Sequence, residues 1–396
     1  MFSEMNMFIK SLRISGLVTA PASKSLSIRS GVCNFLSGSK GLILNYSDCD
    51  DATYAKKALD VIASTKGRAG RVKIDCGESA LCLRIFTPLC FVLGIDAEFV
   101  LNGSLLSRSS GIDYECLKTL SVGGKLLGGV VEIDASLTSQ FLTGLLIALP
   151  LAQKDSVLNV KNLKSSPYVD MTLDVLKKYG IEIQKDGSKF VIKGGQSYEP
   201  VNYKVEGDFA GASFILVTGA VGGKVKVEGL NYKTSLQPEK KIIDVLRNCG
   251  AKVETGEDFV SVSSTGVNSG RLKSFNFDAT DNPDLFPPLC ALAVSCEGES
   301  IIYGTTRLKH KESDRGLALY EEFKKLGADI KLFDDRIQIK GNVLDGGRAS
   351  SRGDHRICMA LAVLGISSIN GVEIENADCV NKSYPAFFKD IERIKT

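Results

Sequence analysis

Leu176–Gln184 (LKKYGIEIQ), Leu246–Glu254 (LRNCGAKVE) and Phe323–Lys331 (FKKLGADIK) share one grammar: the end of an amphipathic helix, a glycine, and at once an alternating strand. Gly180, Gly250 and Gly327 fall just past the helix end, where the chain turns left-handed and glycine meets no Cβ clash. They lie 70 and 77 residues apart, so each period holds more than one helix and several strands. Helix–Gly–strand junctions occur throughout α/β proteins, but three near-copies in one chain favour a repeated unit. Gly123-Gly124, Gly222-Gly223 and Gly346-Gly347 set off short β-rich stretches such as KVKVEGL and RIQIK. Strands are therefore expected to be short and often hairpin-linked, with helices between them. No low-complexity segment or long linker intervenes, so two domains would be joined by brief crossings.

Bulk properties set limits on function. The chain has 396 residues, 44% hydrophobic and 24% charged, enough for two domains with real cores. A net charge of +3 asks for no polyanionic partner, so no nucleic acid is expected. Eleven cysteines include no CxxC pair, and Cys82, Cys90, Cys290 and Cys358 sit among apolar neighbours. The opening MFSEMNMFIKSLRISG does not read as a secretion signal. Together these imply reduced, core-filling thiols in a cytoplasmic protein. The apolar run Phe141 to Ala152 contains Gly144 and Pro150, and Leu81 to Ile95 is interrupted by Arg84 and Pro88. Both fall short of the ~20 residues a bilayer needs, so they are expected as buried helices and no membrane is implied.

The placement of cations is the most informative feature. A helix N-terminus carries partial positive charge, so acids belong in the first turn and bases in the last. PASKSLSIRSGVCNFL instead puts Lys24 at the mouth of an expected helix, with Ser25 as its cap and Arg29 on the same face four residues on. HKESDRGLALYEEFKKLG opens with Lys311 and Arg315, and RGDHRICMALAVLG with Arg352, His355 and Arg356. ESALCLRIFTPL carries Arg84 near its start, and LTSQFLTGLLIALPLA opens on Thr138, Ser139 and Gln140. Taken singly, Arg315 beside Asp314 or Arg356 beside Asp354 reads as a surface pair worth under ~1 kcal/mol. Five such openings point instead to a cleft for small substrates bearing several negative charges, since helix N-termini with Lys and Arg bind phosphate and carboxylate. No GxxxxGK[ST] is present, so this is not a P-loop site.

In the same order along the chain, PASKSLSIR, SDCDDATYAKKAL, CGESALCLRI, TSQFLTGLLIALPLA, SSPYVDMTLDVLKKYG, VEGDFAGASFIL, TDNPDLFPPLCALA, HKESDR, GDHRICMALAV and NKSYPAFFKDI resemble the motifs of the 5-enolpyruvylshikimate-3-phosphate (EPSP) synthases. The resemblance implies a two-domain inverted α/β barrel, each domain of three βαβαββ units, with the active site in the interdomain cleft. One domain would be residues 20–205, inserted in another made of residues 1–19 and 206–396. The implied reaction joins phosphoenolpyruvate to shikimate-3-phosphate, needs no cofactor or metal, and is carried out by a monomer. Closure on substrate is expected because cations from both halves repel until the anions arrive.

Carried over position by position, Lys24, Arg84, Arg108, Gln140, Arg315, Arg356 and Lys382 would hold phosphoenolpyruvate. Lys24, Ser25, Arg29, Thr138, Ser139, Gln140, Ser165, Tyr168, Asp278 and Lys311 would hold shikimate-3-phosphate. Asp278 would accept the proton of the attacking hydroxyl, with Asp281 as its rival, and Glu312 or Lys24 would protonate the enolpyruvyl carbon. The two histidines, His310 and His355, are not spaced as a metal-ligand pair, and His355 is expected to position Arg356 or pack locally.

The chain departs from the family pattern at Ala80 and Leu81, where glycine and threonine are usual. Their extra atoms would crowd the phosphoenolpyruvate pocket and weaken bulkier mimics such as glyphosate. Arg108 matches only if Ser109 replaces a proline, and Arg307 stands where relatives have asparagine. The rival readings are the related transferase acting on UDP-N-acetylglucosamine and an inactive homologue serving as a binding module. The SKS, KESDR and KSYP segments weigh against the first, and the retained acids and bases against the second.

Overall fold

A computed structural model describes residues 5–11, 13–65, 70–108, 111–122, 124–264 and 272–396. The chain divides into a terminal unit, Met1–Ser23 with Glu206–Thr396, and an inserted unit, Lys24–Val205. The break falls at Ser23 rather than at Ala20. Ser23 N donates to Glu206 O (2.9 Å) and Asp208 N to Pro21 O (2.8 Å), which ties residues 21–23 to the terminal unit.

One pattern recurs three times. In the inserted unit, strand Val130–Asp134 leads through helix Gln140–Ala148 to the parallel strand Ser156–Lys161. Helix Ser166–Lys178 then feeds the hairpin Ile183–Asp186 and Lys189–Ile192. In the terminal unit, Ile14–Thr19 pairs parallel with Gly223–Glu228, and helix Ile242–Asn248 feeds the hairpin Lys252–Thr255 and Phe259–Ser263. The inserted unit enters this copy between its first strand and its first helix, Phe209–Gly222. The third copy runs Asn276–Asp278, helix Phe286–Val294, Glu299–Tyr303, helix Arg315–Lys325, then Asp329–Leu332 and Arg336–Lys340. Each is a βαβαββ unit folded into one four-stranded sheet.

The glycine junctions explain the shared hairpin. Gly180, Gly250 and Gly327 have φ of +78°, +90° and +94°, and each lies one residue past a helix C-cap. The left-handed turn ends the helix and aims the chain at the sheet edge.

Helices Phe209–Gly222, Phe286–Val294 and His355–Ser367 pack pairwise and are buried nearly throughout. Strands such as Ser156–Lys161 alternate buried and exposed positions, so in each unit the sheets turn one face outward and cover the helices. Helices inside and sheets outside are the inverted barrel that the family resemblance implies. Among the described residues no helix is long and apolar enough to cross a membrane.

Candidate active site

In the inserted unit, polar contacts link the openings of four helices by way of Asp51, in the first turn of a fifth, Asp50–Ser64. Helix Lys24–Leu36 begins at Lys24 itself, so Ser25 lies inside it and is not the expected cap. Lys24 Nζ pairs with buried Asp51 at 2.9 Å, and Cys82 Sγ of helix Ala80–Leu93 reaches Asp51 O. Two residues on, Arg84 Nη1 donates to Gln140 Oε1 at 2.7 Å. From helix Gln140–Ala148, Thr143 Oγ1 meets Thr172 Oγ1 of helix Ser166–Lys178 at 3.2 Å. Arg29 closes the circuit through Thr172 Oγ1 (2.8 Å), the Ser25 carbonyl (2.9 Å) and the Tyr168 carbonyl (3.5 Å).

None of these four helices has an acid in its first turn. Their N-terminal N–H groups and the cations beside them can therefore serve an anion. Ser139 precedes helix Gln140–Ala148, and Thr138 Oγ1 accepts from Gln140 N. Ser165, left-handed at φ +57°, precedes the Ser166 helix that carries Tyr168 in its first turn. The structure thus brings Lys24, Ser25, Arg29, Arg84, Thr138, Ser139, Gln140, Ser165 and Tyr168 onto one connected set of helix openings. Arg108 follows the short helix Ser104–Ser107 and is half-buried. Ser109, its supposed proline substitute, lies outside the described residues.

Arg315 is the hub of the terminal unit. Its side chain is 1% exposed, and it donates to Asp354 (Nε to Oδ2, 2.9 Å), Asp284 (Nη1, 3.1 Å) and Glu312 (Nη2, 2.7 Å). Asp354 is wholly buried and also accepts from Ser313 Oγ and Arg356 N, so it caps the His355 helix while it fixes Arg315. Arg356 Nη2 reaches Asp284 at 2.9 Å, and Lys311 Nζ lies 3.8 Å from the same carboxylate. His355 is buried with Nδ1 3.8 Å from Asp354. Lys382 is buried at the end of the 3-10 turn Ala377–Lys382, which packs on the His355 helix.

The charges shift as this geometry requires. Burial works against the Asp284 carboxylate, but Arg356, Lys311 and Arg315 outweigh it and hold the group well below the usual carboxylate range. Burial likewise opposes the Arg315 charge, yet Asp354, Glu312 and Asp284 bind its proton more firmly. For Lys311, burial prevails and pushes the ammonium down to about 8. Arg315 and Arg307 add to the push, while Asp284 and Glu312 oppose it.

Among the acids, the structure points to a carboxylate other than Asp278. Asp278 ends its strand on an exposed site, where Oδ1 accepts from Thr280 N in a local turn. The carboxylate among the cations is Asp284, six residues later, just inside the 3-10 turn Pro283–Leu285. Its position after Pro283, at the start of an apolar helical run, was the available signal. The alternative set aside in the sequence, surface pairs of Arg315 and Arg356 with their neighbours, is not what the structure holds. Asp314 caps its own helix through Leu317 N, and Asp354 serves Arg315 from 39 residues away. Asp51 and Thr172, the partners of Lys24 and Arg29, lie in two of the segments that resemble the family's, but their pairings could not be read because those contacts are long-range.

Residues 111–391 match the family described as EPSP synthase (3-phosphoshikimate 1-carboxyvinyltransferase). Among curated relatives, the chain is similar to the 3-phosphoshikimate 1-carboxyvinyltransferase of Clostridium novyi, at 35% identity covering 96% of this chain and 95% of the relative. The enzyme of that name from Methanothrix thermoacetophila is 36% identical, covering 96% of both. Among solved structures, the EPSP synthase of Acinetobacter baumannii aligns with a TM-score of 0.77 at 19% identity, over 99% of this chain and 98% of that one. The enolpyruvyl transferase NikO from Streptomyces tendae aligns at 0.68 and 14%, over 99% and 97%. At these identities the structural likeness establishes the fold.

Proposed function

The chain belongs to the EPSP synthase family, and from that premise we propose how its own residues carry the reaction. It transfers the enolpyruvyl group of phosphoenolpyruvate to the 5-hydroxyl of shikimate-3-phosphate and releases inorganic phosphate, a step of aromatic amino acid biosynthesis. The hydroxyl oxygen bonds to C2 of the enol while C3 takes a proton. The tetrahedral adduct then loses that C3 proton, the C2–O bond to phosphate breaks, and the double bond re-forms.

Asp284 accepts the proton of the attacking hydroxyl. Glu312 and Lys24 are the groups available to protonate C3. Arg315, Arg356 and Lys382 of the terminal unit, with Lys24, Arg84, Arg108 and Gln140 of the inserted unit, take the charges of phosphoenolpyruvate and of the departing phosphate. Ser25, Arg29, Thr138, Ser139, Ser165, Tyr168 and Lys311 hold shikimate-3-phosphate. One chain suffices for this set, so we take the protein to act as a monomer. Its free cysteines suit the reducing cytoplasm.

The observation that carries the reading is the Asp284 carboxylate seated among Lys311, Arg315 and Arg356. The test is phosphate release with both substrates, with each alone, and with UDP-N-acetylglucosamine as acceptor. Release only with shikimate-3-phosphate and phosphoenolpyruvate together is expected. Asp284→Asn should lower turnover by roughly 10²–10⁴-fold, while Asp278→Asn stays near wild type. The reverse order would remove Asp284 as the base.

A further inference from the structure

Arg315, Arg356 and Lys311 face Asp284, Asp354 and Glu312, three positive groups against three negative ones. These acids already compensate the three cations, so an incoming anion must compete with them for the same N–H groups. The three acids are not equally fixed. Asp354 is wholly buried and takes donors from Ser313, from Arg315 twice and from the backbone of Arg356. Asp284 is 22% exposed on its side chain and is held by Arg315, Arg356 and Lys311. Arg356 Nη1 is buried with no hydrogen-bond partner among the described residues, beside the Nη2 that Asp284 occupies. A planar guanidinium takes an oxyanion through two N–H groups, so one half of this fork is unfilled.

We propose that Asp284 is the resident counter-ion of Arg315 and Arg356, and that an oxyanion of phosphoenolpyruvate displaces it, so that the carboxylate becomes a competent base only once that substrate is bound. This rests on the reading of Asp284 as proton acceptor. A carboxylate clasped by two guanidiniums and an ammonium is a poor base. When the incoming oxyanion takes both arginines, Asp284 loses its compensating charges and faces a second anion, and its affinity for a proton rises. The charged groups that set this balance are Lys311 and Glu312 before the Arg315 helix, Arg307, which acts on Lys311, Arg315 itself, Asp354 and Arg356 at the opening of the His355 helix, and Asp208 and Glu239, which act on Arg356. The arrangement couples proton transfer to occupancy. The shikimate-3-phosphate hydroxyl is not deprotonated while its reaction partner is missing.

The test compares wild type with Asp284→Asn, which keeps the shape and removes the charge. At pH 8, with phosphoenolpyruvate as sole ligand, calorimetry should give a dissociation constant at least about tenfold lower for the variant, since a like charge at contact range has been removed. At pH 5.5, sulfate, which does not titrate there, should bind wild type with uptake of a fraction of a proton, and the variant without it. Equal or weaker phosphoenolpyruvate binding by a folded Asp284→Asn overturns the proposal. If the variant does not fold, sulfate binding to wild type with no proton uptake overturns it. Wild type that releases phosphate from the two substrates yet gives these negative results loses this inference alone, whereas wild type that releases none loses the reaction assignment.

Discussion

Lys311 stands at the rim of the carboxylate cluster with its ammonium held near 8, mainly by burial. Lysine is charged below its pKa, so a step that uses the ammonium runs at full rate below that pH and weakens as pH rises through it. The kcat/KM profile for shikimate-3-phosphate should show an alkaline limb centred near 8. Lys311→Arg, which stays protonated, should move that limb upward, and an unmoved limb would assign it to another group. Ala80 is the first residue of its helix, buried, four positions before Arg84. Inhibition by glyphosate should therefore strengthen in Ala80→Gly relative to wild type, and equal sensitivity would show that the extra methyl does not reach the pocket. Lys24, Arg84, Arg315 and Arg356 were legible because each stands near a helix opening, where the dipole disfavours a cation, whereas Arg108 and Lys382 were placed by the family resemblance alone. The acids were harder to read, because the place of Asp284 after Pro283 and of Asp354 at a helix cap marks them only locally, while their hold on Arg315 spans 31 and 39 residues.

Helices Ala80–Leu93 and Gln140–Ala148 show how an element can be shaped for a single contact. Pro88 has no N–H for the Arg84 carbonyl one turn back, and Gly144 lies against that bare stretch. A Cβ on Gly144 would sit 2.1 Å from Arg84 O and 2.8 Å from Pro88 Cγ, so only glycine lets the two helices close and bring Arg84 Nη1 to Gln140. Gly144→Ala should destabilise the protein by about 1–3 kcal/mol in urea unfolding and raise KM for phosphoenolpyruvate. A change in stability with KM unmoved would separate the packing from the site. The glycine-terminated helices could be read from sequence because the left-handed turn depends on one local residue. The start of the Lys24 helix could not, since Ser25 has the chemistry of a cap but the helix already includes Lys24.

At the scale of the molecule, ten of the eleven cysteines are buried and all are free, with Cys379 half-buried. A thiol reagent on the native protein should modify one cysteine quickly and the rest only on unfolding, which intact mass resolves. Rapid loss of several thiols would contradict the buried assignments. The two-unit plan was expected from the family resemblance, with which chain length and the repeated grammar agree. The break at Ser23 was not, because it depends on hydrogen bonds to residues almost two hundred positions later. Those bonds carry a consequence of their own. Pro21 and Ser23 are laced to Asp208 and Glu206, so the inserted unit departs and returns through a doorway one residue pair wide. A gene that bridges Ser23 to Glu206 with a tight turn would excise it as a cassette and leave the flanking sheet's register intact, since closing so short a gap costs little entropy. Modules with such adjoining ends can be exchanged between homologues without redesigning their host.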